Sequence, residues 1–337
     1  MTFRIGWIGC GRQANEMLLP ELVRIEGVTL AALTDIDDAA LARTAGRYGV
    51  DRTFQDYGDL LACQDLDGIG VAVGPAMHRE IGLAALDRGL PVFMEKPPAA
   101  DLAGARELAA AAVDAKQPLL LGFMKRFSSG NKIGRNVLQQ EDFGKPLSFV
   151  GSYMTAPTYF EGEPDYRGFF LHHCIHYLDL APWLMGSRIK DIDARQVDSG
   201  PGKLLIHLGF IFESGALGTL VMGTMQSRGA PVELIQVMGD HRKLEIRNVT
   251  EVSYTRDPPF KVEDAHATLD DGADTLSWTP NMTVAADEDH KGYRALLQAS
   301  LDAMRGRPSS APTIDDAVIA MTELDRMAMA LGRQLGA

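Results

Sequence analysis

The sequence has few cysteines, no paired cysteine motif and no long hydrophobic run. Cys10, Cys63 and Cys174 lack the C-x-x-C or related spacing of a metal site. An odd number of cysteines, and a start at Met1 that leads straight into a strand pattern rather than a leader, indicates reduced thiols and a cytoplasmic location. No segment reaches the ~18 consecutive apolar residues that a membrane-spanning helix needs, so we expect no membrane partner.

Positive charge is also scarce. The 337 residues include 33 lysines and arginines against 45 aspartates and glutamates, a formal net charge of -12. Because this excess repels phosphate backbones and anionic lipid surfaces, nucleic acid and membrane are excluded as main partners, and a small molecule is favoured. The length allows two domains of ordinary size.

A glycine turn follows the first apolar strand of the sequence. Residues 3–8 lead into the pattern G-x-G-x-x-A formed by Gly9, Gly11 and Ala14, and a helical pattern comes next. Gly9 allows a tight turn, Gly11 lets the backbone approach a pyrophosphate, and the small Ala14 allows close packing of helix on strand. Strand, turn and helix in this order predict a dinucleotide site with its phosphates at the amino end of the helix.

The cofactor type is indicated by Asp35, which ends the second predicted strand 26 residues after Gly9. A carboxylate in this position accepts hydrogen bonds from the ribose hydroxyls and repels a 2'-phosphate, so NAD is favoured and NADP disfavoured. The alternative is that Asp35 only caps the helix predicted over residues 38–48.

Two different patterns of secondary structure divide the chain. Strand and helix signals alternate over residues 1–122, which predicts an α/β Rossmann domain with a doubly wound parallel sheet. Residues 123–337 hold longer strands of alternating polarity and a few helices, which predicts an α+β domain with a large, mostly antiparallel open sheet. We expect this second domain to bind the substrate and to form the oligomer contacts.

A lysine is held at the end of a short apolar strand. Residues 92–94 are followed by Glu95, Lys96, Pro97 and Pro98, and the prolines cannot continue a sheet. The carboxyl edge of a parallel sheet is where ligands bind, so Lys96 is a candidate active-site residue. The alternative is an ordinary strand exit with a solvated lysine.

Three titratable residues recur at helical spacing in the second half. His172, His176 and Asp179 fall at i, i+4 and i+7, on one face of a predicted helix, while Leu171 and Ile175 fall on another. This register indicates a functional site. The polar outer face of an amphipathic helix and a metal site formed by the three residues are the alternatives.

Taken together, these motifs resemble the Gfo/Idh/MocA family of oxidoreductases, and Glu95-Lys96-Pro97 is the most specific of them. The likeness covers nearly the whole chain: residues 9–14, Val73 with His78, residues 95–97, residues 122–127, His176 with Asp179, and residues 293–313.

The resemblance implies a role for each matching position. Lys96 and His176 are implied to be catalytic, with His172 beside them, and the Lys96-Pro97 bond to be cis. Cofactor contacts are implied for Gly9, Cys10, Gly11, Arg12, Gln13, Asp35, Gly74, Pro75, His78, Glu95 and Lys96. Substrate contacts are implied for Lys96, Lys125, Arg126, Tyr153, His172 and His176.

One position departs from the family pattern. Many members carry Asp-x-Gly-x-His, whereas this chain has His172 at the aspartate and Cys174 at the glycine. A carboxylate would favour the protonated forms of His176 and Lys96, and a neutral imidazole supplies no such charge.

The resemblance implies an enzyme, an NAD(P)-dependent dehydrogenase acting on CH-OH groups. The expected reaction is hydride transfer between NAD and a secondary alcohol or ketone of a sugar, cyclitol or related polyol. An NAD-dependent glycoside-cleaving enzyme that works through transient oxidation and a non-catalytic NAD- or sugar-binding regulator are the alternatives. An exposed sheet face in the second half would need cover, so we expect a homodimer or homotetramer.

Overall fold

The computed structural model describes residues 2–163, 165–227, 232–256, 261–263, 268–270, 275–280 and 289–335. The chain forms two compact units. The first comprises Met1–Met124, Tyr293–Asp325 and Leu335–Ala337, and the second comprises Lys125–Gly292 and Arg326–Gln334. Our division into 1–122 and 123–337 assigned the closing helices to the second domain, whereas most of their residues belong to the first unit.

The first unit is built on a six-stranded parallel sheet. Its strands are β1 Phe3–Ile8, β2 Val28–Thr34, β3 Thr53–Phe54, β4 Gly68–Val71, β5 Val92–Met94 and β6 Leu119–Leu121. They lie in the order β3-β2-β1-β4-β5-β6, and every neighbouring pair is parallel. The strand order reverses between β1 and β4, the point at which such sheets bind ligands beyond their carboxyl ends. The predicted doubly wound sheet is confirmed.

Helices connect these strands. A π-helix, Ala14–Leu18, continues into α1 Leu19–Leu22 and is followed by α2 Asp38–Tyr48, α3 Tyr57–Leu61, α4 Pro75–Asp87 and α5 Leu102–Ala115. Side chains in the preceding turns accept the free N–H groups of the first helical residues: Asp37 caps α2 and Asp101 caps α5. Strands β4, β5 and β6 are buried along their whole length, as expected for a sheet covered on both faces.

The second unit contains an eight-stranded sheet. Its strands are β7 Ser148–Met154, β8 Ile189–Asp198, β9 Leu204–Phe212, β10 Leu217–Gly223, β11 Val232–Gly239, β12 Arg242–Arg247, β13 Glu251–Thr255 and β16 Thr275–Trp278, while β14 Lys261–Glu263 and β15 Thr268–Asp270 form a separate pair. The order is β16-β13-β12-β11-β7-β10-β9-β8. Within this sheet β7 and β10 are parallel and the other pairs antiparallel. The predicted, mostly antiparallel sheet is confirmed.

Helices cover one face of this sheet. They are α6 Ser129–Leu138, α7 Arg167–Phe169, a second π-helix Phe170–Cys174, and α8 Ile175–Met185. Alternate residues of β9, from Leu204 to Phe212, are buried, as the two-residue period of a strand requires. Helix α8 is buried almost all round, so its polar residues need partners inside the protein.

The closing helices are α9 Tyr293–Met304 and α10 Ile314–Ala330, and α10 crosses the division between the units. Arg294 of α9 forms an ion pair with Glu21 of α1 at 2.6 Å. The residues between α9 and α10 hydrogen-bond to β6, where the Leu121 N–H donates to the Pro312 carbonyl. These contacts explain why α9 belongs to the first unit.

Several parts of the chain differ from the expectations: the sequence predicted neither helix α6 nor strands β8 and β13. Strand β8 was not predicted, because it is an edge strand with charged, mostly exposed residues and no apolar alternation. Much of the acidic stretch 258–289, which the sequence did not assign, lies outside the described residues. Among the described helices, none combines the length and the apolar character needed to cross a bilayer.

Candidate active site

The glycine turn lies where β1 ends. Gly9 has a φ of 98°, and a Cβ there would collide with the carbonyl oxygen of Ala72. A Cβ on Gly11 would meet no atom within 4 Å, so the backbone faces open space at that residue. A tight turn followed by an open glycine fits the approach of a pyrophosphate to the start of the helix.

Asp35 is hydrogen-bonded to the backbone of this turn. One carboxylate oxygen accepts the Cys10 N–H at 2.6 Å and the other accepts the Asp37 N–H at 2.8 Å. The cap of α2 is Asp37, which accepts from Ala39 and Ala40. Asp35 is therefore not the helix cap of the alternative interpretation, and its half-buried carboxylate stands beside the glycine turn.

We expect the protein to bind NAD at least tenfold more tightly than NADP, because a 2'-phosphate would meet the Asp35 carboxylate. Calorimetric titration with both nucleotides measures this preference. Asp35→Asn should reduce the difference between the NAD and NADP affinities. Asp51→Asn, at an exposed position of the same unit, should leave that difference unchanged. Equal or tighter binding of NADP by the wild-type protein would contradict the assignment.

Lys96 follows β5 at the carboxyl edge of the parallel sheet. The Lys96-Pro97 peptide bond is cis, as the family resemblance implied. His78 braces this turn: its Nε2 accepts the Val73 N–H at 3.1 Å, so Nδ1 carries the proton and donates to the Pro97 carbonyl at 2.8 Å. The two ring nitrogens of His78 thus tie the end of β4 to the lysine turn, and its implied contact with the cofactor stays a prediction.

Glu95 is buried beneath the same turn. Its carboxylate accepts from the Lys96 N–H at 3.1 Å and from the Gln13 side chain at 3.5 Å. Burial raises the pKa of Glu95, and the Lys96 charge acts in the opposite direction. A Cβ on Gly122 would lie 2.8 Å from this carboxyl group, so Gly122 makes room for it. Gln13 also donates to the Tyr293 hydroxyl at 3.3 Å, which links the glycine turn to α9.

Three further residues implied in cofactor binding lie at helix starts. Gly74 is the N-cap of α4 and Pro75 its first residue, an arrangement that leaves free N–H groups at this end. Arg12 is exposed and pairs with Glu16 at 2.9 Å. The structure thus joins Cys10 with Asp35, Gln13 with Glu95, and His78 with Pro97 at the carboxyl edge of the sheet.

None of the three cysteines forms a disulfide. Burial is the main cause that raises the pKa of the Cys10 thiol to about 11, with the neighbouring Asp35 charge adding to it and a Thr44 hydrogen bond opposing it. Burial likewise holds the pKa of Cys174 well above its usual value. Both thiols are therefore protonated at neutral pH and unsuited to nucleophilic roles.

The cations Lys125 and Arg126 each pair with a carboxylate of the second unit. Lys125 Nζ lies 2.5 Å from Glu233 Oε1. Arg126 holds Asp179 with two hydrogen bonds, from Nε at 2.9 Å and from Nη2 at 2.5 Å. The Asp179 side chain is only 2% exposed, so the bidentate pair supplies the partner that its burial requires.

An aromatic cluster surrounds Lys125. Its ammonium lies 5.1 Å from the ring centre of Tyr177 and 5.9 Å from that of Tyr153. The Tyr153 hydroxyl hydrogen-bonds His173 Nδ1 at 2.7 Å, and the two rings stack. Burial first and the Glu233 charge second raise the pKa of Tyr177 well above its usual value, so Tyr177 stays a neutral phenol.

The three titratable residues of the histidine segment lie in different environments. A helix is present as predicted, but it is a π-helix through Cys174 and an α-helix from Ile175. His172 is exposed, whereas His176 and Asp179 are buried. The amphipathic alternative is wrong for α8, which is buried almost all round.

The metal alternative gains no support. Both oxygens of Asp179 accept from Arg126, and within the described residues no group of three His, Cys, Asp or Glu side chains could hold a metal ion. A π-helix at the histidine segment is consistent with a functional site, where such turns are frequent.

Glu233, Tyr177 and His173 were not among the predicted site residues. One signal for Glu233 was available: in β11 it occupies the same alternating face as Ile235 and Val237, both of which are buried. A charged residue on the core face of a strand requires a buried partner. The sequence could not show that this partner is Lys125, which is 108 residues away.

The comparisons with known proteins agree with this arrangement. Residues 3–123 match the domain described as "Oxidoreductase family, NAD-binding Rossmann fold", and residues 135–331 match "Oxidoreductase family, C-terminal alpha/beta domain", both of the Gfo/Idh/MocA group.

Curated relatives and solved structures point the same way. An inositol 2-dehydrogenase of Salmonella paratyphi B is 26% identical over 196 residues, 57% of this chain and 57% of the relative, so the match spans little more than half of its length. A myo-inositol 2-dehydrogenase of Thermotoga maritima is 27% identical over 258 residues, 74% of this chain and 77% of the relative.

The fold is shared with a dehydrogenase of Chromobacterium violaceum, with a TM-score of 0.85, 22% identity, and coverage of 98% of this chain and 96% of the other. With its first part matching the NAD-binding Rossmann domain and its second part the C-terminal domain, the chain belongs to the Gfo/Idh/MocA oxidoreductase family.

Proposed function

We propose that the protein is an NAD-dependent dehydrogenase that transfers a hydride between nicotinamide and a secondary alcohol or ketone of a sugar, cyclitol or related polyol. The observation that carries this proposal is Lys96, which follows β5 at the carboxyl edge of a family NAD-binding sheet, in a turn that the two hydrogen bonds of His78 hold in place. The names of the relatives, inositol dehydrogenases, support the substrate class.

In the oxidation direction the substrate alcohol loses a proton and a hydride. His176 takes the proton of the alcohol hydroxyl as the carbon loses its hydride, leaving a ketone and a protonated imidazole. Lys96 donates a hydrogen bond to the substrate oxygen while negative charge develops there. Gly9, Gly11 and Asp35 would hold NAD, which would supply the acceptor for the hydride.

The remaining predicted substrate residues receive supporting roles. The exposed imidazole of His172 is proposed to hydrogen-bond a second substrate hydroxyl. Lys125 and Arg126 act as parts of ion pairs rather than as free cations. The Tyr153 ring stacks on His173 and its hydroxyl hydrogen-bonds that residue, so Tyr153 is proposed to contact the substrate through this shared hydroxyl.

A panel of hexoses, pentoses and inositols, assayed for NADH absorbance at 340 nm, tests the proposal. We expect at least one polyol to reduce NAD at a rate proportional to enzyme concentration. If the protein binds NAD tightly but no compound of the panel reduces it, the dehydrogenase proposal is contradicted and the non-catalytic regulator is favoured.

We also propose that the protein forms homodimers or homotetramers through the outer face of the eight-stranded sheet. Leu217 and Ile211 lie opposite each other on β10 and β9 and are 60% and 43% exposed. Exposed apolar side chains in register favour a covered face. We expect sedimentation to show a dimer or larger, and Leu217→Glu to shift it toward monomer, whereas a monomeric wild-type protein would contradict the proposal.

A further inference from the structure

The segment that opens the second unit carries two cations, and both are neutralised inside that unit. The side chains of Lys125 and Glu233 are 11% and 16% exposed, and those of Arg126 and Asp179 are 12% and 2% exposed. Charges this far from water interact strongly and are hard to leave without a partner. In each pair the positive charge is therefore neutralised by its own carboxylate, and removing one partner would leave the other charge without compensation.

The Lys125–Glu233 pair is held in place by the sheet. Glu233 of β11 lies opposite Tyr153 of β7, so the two side chains project from the same face. The ammonium of Lys125 sits over the rings of Tyr153 and Tyr177. Lys125 is thus held by its 2.5 Å ion pair with Glu233 and by the two tyrosine rings. It cannot turn toward an incoming anion without giving up these contacts.

This geometry discriminates between neutral and anionic ligands. A substrate carboxylate that approached Lys125 would meet the Glu233 carboxylate beside it, and two anions would share one cation. If the substrate displaced Glu233, a poorly hydrated carboxylate would be left without its partner. A hydroxyl group, by contrast, donates to Glu233 or accepts from Lys125 without breaking the pair.

Resting on the proposed polyol dehydrogenase, we infer that the substrate is an uncharged polyol and that Glu233 is the residue that excludes anionic sugars such as uronates. Glu233 acts by keeping Lys125 paired. Its removal leaves the Lys125 ammonium able to donate charge-assisted hydrogen bonds to a substrate carboxylate.

The test compares hexoses with the uronates that differ from them only at C6. Dissociation constants of glucose, glucuronate, galactose and galacturonate are measured by calorimetry on the full protein saturated with NADH, which prevents oxidation of the alcohol. We expect wild-type protein to bind an uncharged member more tightly than its uronate. Glu233→Gln should shift the ratio of the two constants toward the uronate by about tenfold or more.

Two variants serve as controls. The first is Glu245→Gln, which removes the same charge from the same sheet. Glu245 lies opposite Gln236 in the strand register and therefore projects from the face opposite to that of Glu233. In this variant the ratio of the hexose and uronate dissociation constants should stay at the wild-type value. Lys125→Met combined with Glu233→Gln should cancel the shift, because the freed cation is then absent. If Glu233→Gln does not fold, Lys125→Met alone tests the same idea. It should weaken uronate binding further relative to hexose binding, because the Glu233 charge would then repel the uronate without a neighbouring cation to offset it.

The outcomes separate this inference from the proposed function. Wild-type protein that binds a uronate as tightly as its hexose, or binds no uncharged member, overturns the inference, as does a Glu233→Gln ratio that matches Glu245→Gln. The proposed function is judged by turnover in the polyol panel. If no polyol of the panel reduces NAD but the dissociation constants have the expected ratios, the dehydrogenase is rejected and the role of Glu233 in excluding anionic sugars is retained.

Discussion

Replacing Lys96 by methionine is expected to lower kcat by about 10²–10³-fold, because the substrate oxygen loses its charged hydrogen-bond donor as negative charge develops on it. Methionine keeps most of the length and apolar volume of the lysine stem. The cis-proline turn is braced by His78 through backbone groups, which the substitution leaves intact. We therefore expect the loss to fall on turnover rather than on folding.

The measurement is steady-state kinetics with the best polyol of the panel, alongside circular dichroism and NAD titration on the same preparation. Lys116→Met, at an exposed lysine after α5 in the same unit, removes the same charge away from the turn and should retain full activity. A Lys96→Met variant that folds, binds NAD and turns over near the wild-type rate would remove Lys96 from the mechanism.

The fold of the first unit could be predicted because its signals are local. A glycine turn, an acidic residue at the end of β2 and a strand that stops at prolines are each readable within a few residues. Parallel strands buried on both faces also give continuous apolar runs, as β4 and β5 show. These signals predicted a doubly wound parallel sheet, and the order of its strands was known only from the structure.

Side-chain pairing at long range could not be predicted in the same way. Nothing near Lys125 in the sequence identifies Glu233 as its partner, and nothing near Arg126 singles out Asp179, 53 residues away. Both pairs depend on how strands and helices pack, which a linear pattern does not encode. The sequence therefore indicated which residues are cations without indicating that they are neutralised.

The histidine segment shows the limit of periodicity most directly. Spacing of i, i+4 and i+7 predicts a common direction but not a common degree of burial, and His172 is exposed where Asp179 is buried. The turn before Ile175 is also a π-helix, which apolar spacing alone does not distinguish from an α-helix. The predicted roles of His172 and His176 thus need separate tests.

The substitution of His172 for the family aspartate changes what surrounds the proposed base. Asp179, the acidic residue that the segment does contain, accepts hydrogen bonds from Arg126 with both of its carboxylate oxygens. Its charge is therefore largely balanced within its own pair. The pH dependence of alcohol oxidation therefore tests whether His176 is the group that removes the proton.

We expect His176→Gln to lower kcat for alcohol oxidation by about 10²–10⁴-fold and to abolish the acidic limb of the kcat/KM profile, because glutamine cannot accept the hydroxyl proton. Wild-type activity should rise with pH through this limb as the imidazole loses its proton, whereas the residual activity of the variant should lack that step. NAD affinity is expected not to change, because all of the predicted cofactor residues belong to the first unit. His207→Gln, an exposed histidine on β9, makes the same substitution within the second unit and should keep both the rate and the limb. An acidic limb that persists in a folded His176→Gln protein would show that another group removes the proton, with the exposed His172 as the first candidate to replace in turn.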